Sequence, residues 1–295
     1  MWRECAQPTY FVLPICSLHL SSAAVSALDV AHAAPTDEAI DAAFAAADVL
    51  VVSGGNTLFA VDRWNHLGIA RRIREHAHRL VLAGGSAGAI CWFDSGHSDS
   101  ADPTSFRNPP ASSTAASSAE TPEALAAAAA PSEAVAAWEY VRIEGLGLLP
   151  GLLCPHHDKV QSNGVLRAHD LDAMLLRHGG ERAICIDHFA ALVVDREHYR
   201  IVSLDGQPGS VLDAVAAVAS ATADGAGSCA QFAADRSGRP GVWLKELEVV
   251  DGGATVRRWL APSDGLVADL LRPANGALVA DARIEAVRAA NSAIF

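Results

Sequence analysis

Ser86 stands at the centre of Gly84-Gly85-Ser86-Ala87-Gly88, a G-x-S-x-G pattern between a strand-like apolar run and a helix-like one. Nucleophilic catalysis by a hydroxyl asks for this arrangement: glycines relieve the clash of a sharp strand-to-helix turn, and the side chain projects at the strand's C-terminal edge. An ordinary small-residue turn is the plainer explanation. A hydroxyl attacks only when a base takes its proton. Cys154-Pro155-His156-His157-Asp158 offers two histidines at an expected strand end, although a surface or packing pair would look the same. A third group must orient the base, and Asp94, Asp99 and Asp102 all follow the elbow. Asp94 is expected to cap the end of the helix. Asp99 lies far enough downstream to fold back beside a histidine, which gives the order Ser86, Asp99, His156.

Val52-Ser53-Gly54-Gly55-Asn56-Thr57 is a second glycine turn at a strand end. It can supply a backbone N–H to an oxyanion hole and Asn56 to a substrate, or simply start a helix capped by Asn56 or Thr57. A zinc reading of Cys154, His156 and Asp158 lacks a fourth ligand, so no metal or other cofactor is expected.

The elements that must hold these residues alternate along the chain. "TDEAIDAAFAAAD" (36–48) reads as a helix with Thr36 as N-cap and acids in its first turn. "VLVVSGG" (49–55) is a buried-strand pattern, followed by a helix from about Thr57 to His78 and the strand "LVLAG" (80–84). "YFVLPICSL" (10–18) reads as a further core strand, in preference to a signal-like segment. Strand-helix alternation at this spacing predicts right-handed βαβ units and a mainly parallel sheet. Residues 101–137 are Ala/Ser/Pro-rich and read as a surface insertion. A helix near 165–178 comes next, "RAICIDHFAALVVD" (182–195) and "YRIVSL" (199–204) look like paired strands, and residues 208–240 read as a loop. Residues 241–261 form an expected β-hairpin through "DGG", with a helix at about 280–293. The expectation is one α/β domain over 1–295, with an extension from about 208.

Hydrophobic residues make up 51% of the 295 residues, ample for a buried core, and the net charge of −12 argues against nucleic acid or an anionic membrane as partner. No apolar run reaches membrane-spanning length. Six cysteines without paired spacing read as those of a reduced, cytoplasmic protein.

Taken together, "ADVLVVSGGNTLFAVDRWNHLGI", "VLAGGSAGAICWFDSGHSDS", "GLGLLPGLLCPHHD" and "IDHFAALVV" resemble the peptidase E family of serine peptidases, the aspartyl dipeptidases and their cyanophycinase-like relatives. The resemblance implies a flavodoxin-like α/β fold of the class I glutamine amidotransferase type, with helices on both faces of the sheet. It implies Ser86 as nucleophile, His156 as base, Asp99 as third member, and Gly55 and Ala87 as oxyanion N–H donors. Asn56 and Arg167 would hold the substrate, Arg167 taking the carboxylate of an N-terminal aspartate; the bland alternative has Arg167 decorating its helix and pointing to solvent. The implied activity is hydrolysis of small peptides, with a homodimer left open. Where relatives carry Asp-Asp-Gly before the "AAL" strand this chain has Asp187-His188-Phe189. A catalytically dead scaffold or binding protein is the rival reading, and an α/β-hydrolase esterase or a glutaminase (which would want cysteine at position 86) ranks lower.

Overall fold

Thr36 opens the first helix, α1 (Asp37–Ala46): its hydroxyl accepts from the N–H of Ala39, Asp37 and Glu38 occupy the first turn, and Ile40 and Phe44, one turn apart, are buried. The computed structural model describes residues 9–12, 24–106, 138–210, 239–250 and 252–291. The greater part of the 101–137 segment and of the 208–240 segment therefore lies outside the described residues.

Strand β1 (Thr9–Val12) is followed, after α1, by β2 (Val49–Val52). The single helix expected from Thr57 to His78 is two, α2 (Thr57–His66) and α3 (Ile69–His76), broken at Gly68, whose φ of 68° is left-handed. β3 (Val81–Gly84) leads into α4 (Ala87–Ile90), one turn where a longer helix was expected. Asp94 is not a helix cap. It lies in strand β4 (Phe93–Ser98), where its carboxylate accepts from the N–H of Gly151. The helix ends early because Cys91, Trp92 and Phe93 carbonyls accept from the 146–149 segment and leave the helical ladder.

The remaining elements are β5 (Val141–Glu144), β6 (Leu149–Pro155), α5 (Arg167–His178), β7 (Ala183–Ile186), β8 (Ala190–Asp195), β9 (His198–Ser203), β10 (Val242–Val250), β11 (Gly253–Leu260), β12 (Asp264–Leu266), α6 (Val267–Leu270) and α7 (Ile284–Asn291). They form two six-stranded sheets, ordered β12-β9-β8-β1-β3-β2 and β11-β10-β7-β6-β4-β5. Parallel pairing joins β1 to β3 to β2 and β4 to β6 to β7, and antiparallel strands extend both sets. "RAICIDHFAALVVD", which looked like one strand, is two: β7 runs parallel to β6, and β8 pairs antiparallel with β1 and β9 in the other sheet. Asp187 makes the break, its carboxylate accepting from the N–H groups of Ser210 and Gly241.

The main core gathers Ile40, Phe44, Trp64, Ile73, Leu82, Trp92, Phe93 and Leu192. A second cluster of Tyr140, Leu152, Cys154, Leu171, Met174 and Trp243 packs α5 against β6 and β10. α4 packs against β3 and β2 of one sheet and β4 and β6 of the other, so the elbow sits where the two sheets meet.

Candidate active site

Ser86 adopts φ 54° and ψ −119°, a conformation that L-residues avoid and that costs on the order of 1–3 kcal/mol. Two glycines make the turn possible. A Cβ on Gly84 would lie 2.4 Å from the carbonyl oxygen of Gly88, and a Cβ on Gly88 would lie 2.2 Å from that of Val52. The first turn of α4 is thus pressed against the ends of β3 and β2, and only glycine fits there. Among the described residues, neither the N–H of Ala87 nor that of Gly55 has an acceptor. Gly55, with φ 148°, follows β2 in the glycine turn.

His156 follows the C-terminus of β6 and carries φ 52°. Ser86, His156 and Arg196 are the three non-glycine residues with positive φ among those described, so two of the three are the candidate nucleophile and base. His156 Nδ1 lies 3.1 Å from Nδ1 of His188. Burial first, then the positive charge of Arg167, lower its pKa to about 4. At neutral pH the imidazole is neutral and able to accept a proton.

The "SDS" stretch is wired to the glycine turn. Asn56 caps α2 through Oδ1, and its Nδ2 donates to the carbonyl of Ser100 at 3.0 Å and to Ser105 Oγ at 2.8 Å. Ser100 Oγ in turn accepts from the N–H of Leu58. The side chain of Asn56 is therefore committed to the cap and this loop. Asp99 Oδ2 lies 3.9 Å from Nη1 of Arg167, and the hydrogen-bonding partner found for His156 is His188.

Arg167 does not point to solvent: it is 1% exposed at the start of α5. Nη2 donates to the carbonyl of His97 at 2.9 Å, the guanidinium lies 5.0 Å from the ring centre of Tyr140, and Nη1 is buried without a hydrogen-bond partner among the described residues. His97, fully buried, meets Asp170 through Nε2 at 2.9 Å, yet its pKa is held at about 4 because burial and the Arg167 charge outweigh the carboxylate. His157 is the more deeply buried of the two adjacent histidines. It is buried, with Nδ1 3.4 Å from Asp187 Oδ1 and 3.1 Å from Ser210 Oγ, and Ser210 Oγ also donates to Asp187.

Cys91 cannot serve as a nucleophile in place of Ser86. Its thiol donates to the carbonyl of Ala87 and burial pushes its pKa up to about 12. Sequence reasoning missed His188, His97 and Asp170. Only His188 carried a signal, as the departure just before the "AAL" strand.

The family described as Peptidase family S51 matches residues 17–202, well over half of the chain. The chain belongs to that family. Its α/β architecture is the flavodoxin-like, glutamine amidotransferase-like type expected of an S51 member. Among curated proteins it is 33% identical over 141 residues to a G2/mitotic-specific cyclin-1 of Trypanosoma brucei brucei, covering 46% of this chain and 39% of that protein. It is 31% identical over 112 residues to the uncharacterized peptidase YgaJ of Bacillus subtilis (strain 168), covering 38% of this chain and 33% of that one. The chain thus spans well under half the length of the curated relatives it matches. Among solved structures, a peptidase E protein from Listeria monocytogenes EGD-e aligns with a TM-score of 0.39 at 16% identity, over 60% of this chain and 69% of that one. A peptidase from an acI-B1 Actinobacterium aligns with a TM-score of 0.35 at 17% identity, over 57% and 55%. At that distance neither carries an argument about the site.

Proposed function

We propose that this S51 member is a serine peptidase that hydrolyses short peptides, dipeptides with an N-terminal aspartate foremost, through an acyl-enzyme on Ser86. The observation that carries this reading is the backbone of Ser86. A non-glycine residue held at φ 54° and ψ −119° between two glycines that admit no Cβ is costly to keep, and such strain clusters where function needs it.

In the proposed reaction Ser86 Oγ bonds to the substrate carbonyl carbon while its proton passes to His156 Nε2. The N–H groups of Gly55 and Ala87 face the developing oxyanion. Collapse breaks the C–N bond, the proton goes to the leaving amine, and water then repeats the cycle on the ester. Asp99 and Asn56 frame the site through Arg167 and the Ser100 loop. Specificity is assigned to Arg167, whose buried Nη1 makes no hydrogen bond among the described residues and meets the Asp99 carboxylate only at 3.9 Å, so that a substrate carboxylate would complete its contacts.

The test is turnover of Asp-Leu and labelling by a fluorophosphonate serine probe, each with wild type and Ser86→Ala. The variant is expected to lose several orders of magnitude in rate, residual catalysis coming from binding and the oxyanion donors. Activity within tenfold of wild type would end the reading. Arg167→Met is expected to lower kcat/KM for Asp-Leu roughly thirtyfold or more while sparing Ala-Leu, as loss of a charged hydrogen-bond partner costs about 2–5 kcal/mol. Equal effects on both substrates would remove Arg167 from the specificity role. Wild type that neither turns over peptides nor takes the probe would favour the rival, a binding or scaffold protein.

A further inference from the structure

In a serine–histidine pair the imidazole nitrogen that takes the serine's proton must be bare, so the other nitrogen carries the hydrogen and needs an acceptor. In this chain the group at that place is an imidazole: Nδ1 of His188 lies 3.1 Å from Nδ1 of His156, with the ring centres 5.2 Å apart. Asp99 is turned to Arg167 instead. Resting on the assignment of Ser86 and His156 above, we propose that His188 is the positioning residue of the catalytic pair. His156 carries its hydrogen on Nδ1, donates it to Nδ1 of His188, and presents Nε2 to Ser86.

Two contacts besides His156 hold His188 in place. Its backbone N–H donates to Asp158 Oδ1 at 2.8 Å, and its ring meets Phe189 edge-on at 4.4 Å. The two loops are tied together, because the N–H of His157 donates to the carbonyl of Ile186 at 3.1 Å and His157 Nδ1 faces Asp187. Burial lowers the pKa of His188 as well, which keeps both imidazoles neutral near pH 7, as an Nδ1–H to Nδ1 bond requires. The charges facing His156 are Arg167 from α5, Lys159 from the loop after β6 and His188 itself, while Lys159 and Asp158 both face His188 with opposite effects. Nothing among these gives the imidazolium the support that a carboxylate on Nδ1 would. The expected enzyme is slow beside a carboxylate triad and keeps its base unprotonated well into the acid range.

The experiment measures fluorophosphonate labelling rate against pH and the nitrogen-15 tautomer signature of His156 by NMR, in wild type, His188→Ala, His188→Asn, His188→Asp and Asp99→Asn, with melting temperature as the fold control. His188→Ala is expected to slow labelling roughly tenfold to hundredfold, a part of the 10²–10⁴ a positioned base supplies, and to scramble the single Nδ1–H tautomer. His188→Asn, whose amide oxygen can accept, recovers part of the rate. His188→Asp raises the pH of the acid limb by about one unit or more, since a carboxylate within hydrogen-bonding distance favours the charged imidazole. If His188→Ala does not fold, the Asn and Asp variants carry both readouts. Unchanged labelling and tautomer on replacing His188, or the same losses appearing in Asp99→Asn instead, would overturn the proposal. Wild type that takes no label would sink the hydrolase reading, and the tautomer would still decide whether His188 holds His156.

Discussion

At the scale of single residues, the site is marked by backbone strain more than by any side-chain contact. Ser86 holds a conformation that glycine adopts freely, and its neighbours Gly84 and Gly88 leave it no room to relax. This predicts a split between two substitutions that both remove the hydroxyl. Ser86→Gly is expected to raise stability over Ser86→Ala by about 1 kcal/mol or more, because only the glycine relieves the unfavourable φ and ψ. Chemical denaturation of the two variants measures it, and equal midpoints would mean the turn stores no strain. Gly88→Ala works in the opposite sense. Its Cβ would meet the carbonyl oxygen of Val52 at 2.2 Å, so the backbone must move, at a cost of roughly 1–3 kcal/mol and with loss of probe labelling.

At the scale of elements, α5 brings Arg167 to the site, and its position is set by charges buried beneath it. Lys245 of β10 donates from Nζ to Asp172 Oδ1 and to the carbonyl of Ala168, both at 2.7 Å, and Arg258 of β11 reaches Asp172 Oδ2 at 3.0 Å. Removing one partner of such a cluster costs most where it leaves a buried charge uncompensated, and less where another partner remains. Asp172→Ala is therefore expected to cost about 3 kcal/mol, and Lys245→Met clearly less, since Asp172 keeps Arg258. A larger loss for Lys245→Met than for Asp172→Ala would refute this account of how α5 is seated. The same contrast between local and distant causes separates what the sequence made legible from what it did not. The start of α1 was readable because Thr36 and the acids beside it are local signals, and the β10–β11 hairpin because "DGG" is a turn signal between apolar runs. The break of "AICIDHFAALVV" into strands of different sheets was not readable. It depends on Asp187 accepting from Gly241, 54 residues away, and an apolar run carries no label for its sheet. The elbow residues were legible as a motif. The partner of His156 was not, because a loop contact between histidines 32 residues apart has no period and no spacing rule.

At the scale of the whole molecule, several buried histidines tie the fold to pH. Burial holds His97 and His156 at a pKa of about 4 against an ordinary 6.5, and lowers His157 and His188 as well. For His97 the paired Asp170 pulls the other way and loses, because the ring is fully enclosed and Arg167 and Lys245 add positive charge nearby. A base whose folded pKa is depressed binds fewer protons folded than unfolded, so stability rises with pH across the gap. The contribution is complete above about 6.5 and is lost as pH falls from there through about 4, at up to about 1.4 kcal/mol per pH unit for a fully buried group. Asp281, whose carboxylate is held below its ordinary range by Arg283 and the N–H of Arg142 despite burial that raises it, adds a loss of the same sign at more acid pH. Unfolding free energies measured at pH 7.5, 6.5, 5.5 and 4.5 are expected to fall gently between the first two, by about 0.4 kcal/mol for each depressed histidine, and steeply through the rest. His97→Gln keeps a polar group on Asp170 but cannot take up a proton, and it is expected to reduce that slope by about 1.4 kcal/mol per unit. A stability that holds level down to pH 4.5, or a slope untouched by His97→Gln, would mean that these rings are not shielded from protons in the folded chain.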